Sequence, residues 1–364
     1  TRQQLAVAYN NYGVDLGNGG RWELAAQQLQ EALRLDDANV QFRTNLSNIY
    51  LNQAQEAFRR HQTTDALDAL NRLFAIAPSS RPGQILLGDI EYGRQRLKEA
   101  KAAWNQAKTL GATERELGDR LERVTEELPV ESNFERLTQA YFDLRYEEQL
   151  ERPVGFDIRD ALLEARRTVG SDFAYWPKHK LVVLIYSAES FRKLRQETPE
   201  WVGGQFDGKI RMPLPSGQLD TPAVKAILFH EYTHALIEDL TGGRCPTWLN
   251  EGLADYEAAR HQPRPLLRLR EAHGQNHLVP WSSLSEQFSY SLSHEAVSLG
   301  YEQSYSIAHY LVQRYGFWRV RRALKTIHEG TPWETALTGE FRIKLPKLEA
   351  AWRAELPEFL TASQ

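Results

Sequence analysis

The chain has 364 residues, 41% hydrophobic and 25% charged, a composition that permits a buried core and excludes wholesale disorder. Its 44 Lys plus Arg against 48 Asp plus Glu leave a net charge of −4, which gives no electrostatic footprint for nucleic acid or an anionic membrane surface. A single cysteine excludes an intrachain disulfide framework and any cysteine-based zinc or iron–sulfur site. At roughly 100–200 residues per domain the length predicts two or three domains. No apolar run approaches the roughly 18–20 residues of a spanning helix, so no membrane span is expected. The chain begins at Thr1 rather than a methionine. An N-terminal segment is therefore expected to have been removed, which tips the expected compartment toward extracytoplasmic, periplasmic or secreted.

Residues 1–128 read as helix throughout, with Pro78 and Pro82 their only prolines. A repeat runs through them: Ala66 aligns with Ala100 at a spacing of 34, Leu70 then meets Trp104, and Ala77-Pro78 meets Gly111-Ala112. Ala25, Leu29, Ala32 and Asp36-Asp37 take the same places one unit earlier, in a unit of 41 residues. This pattern resembles tetratricopeptide repeats, with three copies over residues 5–112. Gly20, Trp22 and Ala25 fit the first copy, whereas His61 and Gln95 stand where the repeat's glycine is expected. The resemblance implies stacked helical hairpins that bind a protein partner, and the charged amphipathic residues 113–128 suit a capping helix.

Pro129 is expected to end that helix, which sets the predicted domains at 1–128 and 129–364. In the second, residues 138–146 alternate as a strand, 157–169 form an amphipathic helix, and 180–186 form an apolar β-branched strand. A helix near 190–197 precedes a hairpin over 203–213, whose glycines and prolines mark Lys209 to Met212 as an edge strand. From Thr221 on the pattern is helical, so strands followed by helices predict an α+β domain.

Thr221-Pro222 is a helix start and Gly242-Gly243 the matching stop. Between them lies His230-Glu231-Tyr232-Thr233-His234. Histidines four apart share one helical face, as two ligands of one metal ion must. Glu231, about 100° around the helix, can hold a water at the ion without ligating it. After the stop comes Pro246-Thr247-Trp248-Leu249-Asn250-Glu251-Gly252-Leu253-Ala254-Asp255-Tyr256. Glu251, 17 residues past His234, leaves room for a reversal that returns a carboxylate to the metal. Asp255, one turn on, can accept the outer N–H of a ligating histidine. Leu240 and Ile237 exclude a third histidine ligand six residues past His234 with glycine at the third.

These two segments resemble the thermolysin-like gluzincins, and more closely the bacterial peptidase-MA-like group, whose third-ligand segment reads Pro-x-Trp-Leu-x-Glu-Gly-Leu-Ala-x-Tyr. The resemblance covers residues 130–330. It implies one zinc ion per chain on His230, His234 and Glu251, with Glu231 as general base and acid. The absence of a Gly-x-Met-x-Asn signature points to an endopeptidase acting on peptide or protein. The stretch 300–311 resembles the later helix of the group and offers an oxyanion donor in Tyr301, with Tyr305 and then His309 as alternatives. Trp201 and Phe206 either line a substrate cleft or pack in the core. His273 and His277 have ligand spacing without a base between them, His294-Glu295 lacks a partner at Ser298, and Cys245 reads as a packed thiol. Two competing functions remain: a catalytically idle peptidase-like scaffold, and a hydrolase of a non-protein amide.

Overall fold

The computed structural model describes residues 1–148, 150, 152–194, 204–214, 221–289 and 291–362. The chain divides into two compact units, Thr1–Asn133 and Phe134–Gln364.

The first unit is helical. Helices α1 (Arg2–Asn18) and α2 (Trp22–Leu35), α3 (Val40–Arg59) and α4 (Thr63–Ile76), and α5 (Arg81–Gly93) and α6 (Leu97–Thr109) form three hairpins. Asn39 and Ser80 cap the starts of α3 and α5 with their side-chain oxygens. The aligned small residues Ala25, Ala66 and Ala100 are fully buried, which lets neighbouring helices approach closely. The turn inside each hairpin needs one left-handed residue. Gly20 supplies it at φ 71°, and His61 and Gln95 take the same conformation at φ 56° and 58° despite their side chains. The three hairpins thus share a left-handed turn residue, glycine in only one of them.

After α6 the expected single capping helix is two. Helix α7 (Glu114–Leu117) stops at Gly118, which is at φ 55°, and α8 (Arg120–Glu131) follows. Pro129 does not end α8. A proline this near the end removes only its own backbone bond, and the Ser132 N–H still donates to Leu128 O at 3.1 Å.

The second unit is α+β. The expected strand over 138–146 is a hairpin of β1 (Glu135–Thr138) and β2 (Phe142–Tyr146), closed by the Gln139 N–H donating to Phe142 O. Helix α9 (Arg152–Phe173) crosses over to β3 (Leu181–Ser187), parallel to β2. Helix α10 (Ala188–Leu194), then β4 (Gln205–Phe206) and β5 (Ile210–Leu214), complete a five-stranded mixed sheet of order β1-β2-β3-β5-β4. The edge assignment for Lys209 to Met212 is corrected. Lys209 is buried in the turn, β5 is paired on both sides, and β4 is the edge. Pro213 misled because β4 covers only Ile210 and Arg211, so its missing N–H lies past the end of that ladder.

The rest is helical: α11 (Pro222–Thr241), α12 (Thr247–Ala258), α13 (Leu267–Gly274), a 3₁₀ segment (Trp281–Phe288), α14 (His294–Tyr315), α15 (Phe317–His328), α16 (Trp333–Phe341) and α17 (Leu345–Ala362). Among the described residues, no helix is long and apolar enough to cross a membrane. One hydrophobic core joins the sheet to these helices, from Phe142 through Leu228 and Trp248 to Leu360.

Candidate metal centre

Helix α11 begins where Thr221 accepts from the Val224 N–H and Pro222 occupies the first turn, and it ends at left-handed Gly242. It is apolar nearly all round because it is packed on most sides, against α9, α12 and the sheet hairpin. His230 and His234 emerge on the face turned to α12, and their rings stand edge to face. Helix α12 returns after the Gly242-Gly243 reversal and delivers Glu251 and Asp255. Its close seat on α14 depends on Gly252, where an added Cβ would overlap the Ser304 carbonyl.

The resulting cluster is tight. His230 Nε2 and His234 Nε2 are 2.9 Å apart, and Glu251 Oε2 lies 3.5 and 3.4 Å from them. Each imidazole is held from behind. His230 Nδ1 is 3.0 Å from Asp255 Oδ1, and His234 Nδ1 is 3.0 Å from Asn250 Oδ1. An acceptor at each Nδ1 places the hydrogen there, so both Nε2 atoms present lone pairs to one another and to a carboxylate oxygen. Three lone pairs converging without a cation repel each other. Four-coordinate bonds of about 2.1 Å place ligand atoms about 3.4 Å apart, close to these separations. These residues are therefore a group that can hold a metal ion, and the donor set fits one.

The electrostatics agree. Burial drives the His230 imidazole down, but its hydrogen bonds to Asp255 and Glu251 outweigh that and carry it up to about 10. Burial pushes the Glu251 carboxyl up, and the adjacent histidines more than reverse it, holding it well below the usual carboxylate range. The cluster lacks one positive charge, which a proton or a metal ion can supply.

Glu231 is 3% exposed, and burial, reinforced by Glu251 and Asp207, raises its carboxyl above the ordinary value against the pull of the histidines. Its Oε2 has no hydrogen-bond partner among the described residues. The residue just before β4 lies directly on it: a Cβ at Gly204 would sit 2.6 Å from Glu231 Oε1, so any larger residue there would have to push the Glu231 side chain aside. A cavity of about 480 Å³ opens beside this carboxylate. Gly204, His230, Glu231, Arg264, His294 and Tyr301 are among the residues that line it.

The structure separates the three candidates on α14. Tyr301 lines the cavity, with Phe288 edge-on at 5.0 Å and the Arg264 guanidinium 5.0 Å from its ring. Tyr305 and His309 instead pack on each other and on Phe359, and burial raises the Tyr305 phenol and lowers the His309 imidazole. Phe206 is packed against the core, and Trp201 lies outside the described residues. Burial pushes the Cys245 thiol far up, with Glu238 and Glu251 adding to it, as suits a packed thiol. His273 sits in α13, and neither it nor His277 joins a metal-competent group among the described residues.

Sequence reasoning missed Asn250 and Arg264. Asn250 is a variable position in the motif, and Arg264 reaches the cleft from an element distant in sequence, so no local spacing announces it. His294, set aside in the sequence for want of a partner at Ser298, lines the cavity but belongs to no metal-competent group among the described residues.

Residues 183–358 match the family model of the Peptidase MA superfamily, a span that takes in every residue of the cluster. The second unit thus carries a peptidase-like domain. No curated protein matches the chain.

Proposed function

We propose that the second unit is a zinc-dependent endopeptidase in which His230, His234 and Glu251 hold the ion and Glu231 is the general base. The observation that carries this reading is the convergence of two imidazole nitrogens and a carboxylate oxygen at 2.9–3.5 Å, each histidine fixed from behind by an acceptor. Two histidines, one glutamate and an open fourth side are the donor set of a catalytic rather than a structural zinc. Zinc held there would polarise the scissile carbonyl and acidify the attacking water.

The chain's own groups do the rest. Glu231, buried and raised, accepts the proton of the attacking water and delivers it to the leaving amine. Tyr301, in the cavity wall, donates to the oxyanion as the carbonyl becomes tetrahedral. An extended substrate enters the cavity beside Gly204, the residue before β4, not along β5. The helical hairpins of residues 1–128, which resemble tetratricopeptide repeats, recruit a protein partner or the substrate.

Metal analysis together with peptide cleavage before and after chelation tests the reading. One equivalent of zinc is expected, with cleavage lost on chelation and restored by zinc. Glu231→Gln should keep the zinc and abolish cleavage, because an amide cannot accept the proton. A zinc-loaded protein that cleaves no peptide would favour the idle scaffold, and wild-type turnover by Glu231→Gln would remove Glu231 as base.

A further inference from the structure

Resting on the proposed function, we infer that Arg264 is a positioning residue that ties the metal-binding cluster to the tyrosine of the cleft. It belongs to the segment between α12 and α13 and stands between Pro263 and Pro265. Proline fixes its own φ, and a following proline confines Arg264 to extended backbone. The residue is thus stiffened from both sides before its side chain makes any contact. Gln262, Pro263, Arg264 and Pro265 together form one wall of the cavity.

The guanidinium joins two parts of the site. Arg264 Nη1 lies 2.9 Å from Asp255 Oδ2, while Asp255 Oδ1 takes the His230 Nδ1 hydrogen at 3.0 Å. Asp255 is 4% exposed, so the arginine balances a carboxylate that water barely reaches. With Oδ1 on the imidazole and Oδ2 in an ion pair with the guanidinium, the carboxylate is restrained from both sides, and the His230 ring with it. The same guanidinium lies 5.0 Å from the Tyr301 ring, within cation–π range, with Phe288 edge-on to that ring. One planar cation therefore sets the relative position of a metal ligand on α11 and the proposed oxyanion donor on α14. Nothing in the sequence motifs requires an arginine at this position.

The test uses the full chain with Arg264→Met, Arg264→Lys and Asp255→Asn. Zinc affinity is read by competition with a chromophoric chelator, which needs no turnover. Arg264→Met should weaken zinc by about tenfold, as the loss of groups that orient ligands does, and lower kcat with KM nearly unchanged. Arg264→Lys keeps a cation beside Asp255 and should recover most of the zinc affinity. Combined with Asp255→Asn, Arg264→Met should weaken zinc no further than Asp255→Asn alone, because the arginine acts through that carboxylate. If Arg264→Met does not fold, Arg264→Gln takes its place in every comparison.

Wild-type zinc affinity in the Met variant, equal losses in the Met and Lys variants, or losses that multiply with Asp255→Asn would each overturn the inference while leaving the peptidase reading standing. A wild-type protein that takes up no zinc would instead overturn the proposed function, and this inference with it.

Discussion

Glu257 lies on α12 two residues past Asp255, with no exposed surface. Arg260 Nε donates to it at 2.8 Å, yet burial dominates and raises its carboxyl to about 7. The raised value makes it a stability group with a definite sign. Between about pH 4.5 and 7 the unfolded chain has released this proton while the folded chain keeps it, so stability falls as pH rises through that window. Glu257→Gln keeps an acceptor for Arg260 and has no proton to lose. Denaturant titrations at pH 5 and pH 7.5 should show a smaller decline for the variant than for wild type. Parallel declines would mean that Glu257 does not titrate in this range. Tyr301 makes a second prediction at this scale. Tyr301→Phe should lower kcat by about 10²–10³-fold with little change in KM, the effect of losing one oxyanion donor. Tyr305→Phe should cost under about tenfold, because Tyr305 packs on His309 and Phe359. The reverse pattern would move the role one turn along α14. Residues of the cluster were legible in the sequence where the chemistry demands a fixed spacing on one helix, as His230 and His234 do. Asn250 and Arg264 were not, because their partners are fixed only when α11, α12 and the loop before α13 meet.

Helices announced themselves when their ends carried the right chemistry. Helix α11 has a threonine cap, a proline in its first turn and a glycine stop, and its bounds follow them. The β1–β2 hairpin looks like one strand in the sequence because Gln139-Ala140-Tyr141 holds none of the Gly, Pro, Asn or Asp that mark turns. Pro129 misled in the opposite direction, since a proline in the last turn costs α8 little. The contact of α12 with α14 leads to a prediction at this scale. Glycine to alanine inside a helix ordinarily gains about 1 kcal/mol from propensity. At Gly252 the new Cβ would overlap the Ser304 backbone carbonyl, which no rotamer change can move aside. Overpacking of this kind costs about 1–3 kcal/mol, so Gly252→Ala should destabilise on balance, and the shift of α12 against α14 should also weaken zinc binding. A melting temperature at or above wild type would show that the two helices have slack at this crossing.

At the scale of the whole molecule, each unit has a hydrophobic core of its own. The clusters of the first unit run from Ala6 to Val124 and that of the second from Phe142 to Leu360, and the described residues that line the cavity all come from the second unit. Residues 1–128 carry 16 basic and 17 acidic side chains, so bulk charge alone would not hold a partner there. We therefore expect the first unit to recruit and the second to cleave. Because α8 continues to Glu131, the place to cut is Ser132, not Pro129. A chain beginning at Ser132 should fold, bind one zinc and cleave a short unspecific peptide at close to the rate of the full chain. On the natural protein substrate it should lose efficiency through KM, since recruitment raises local concentration without touching the chemical step. Zinc content and thermal melting of the shortened chain separate loss of fold from loss of function. If it is folded and zinc-loaded yet inactive on the short peptide, residues 1–131 help to build the active site, and the division between recruitment and catalysis is wrong.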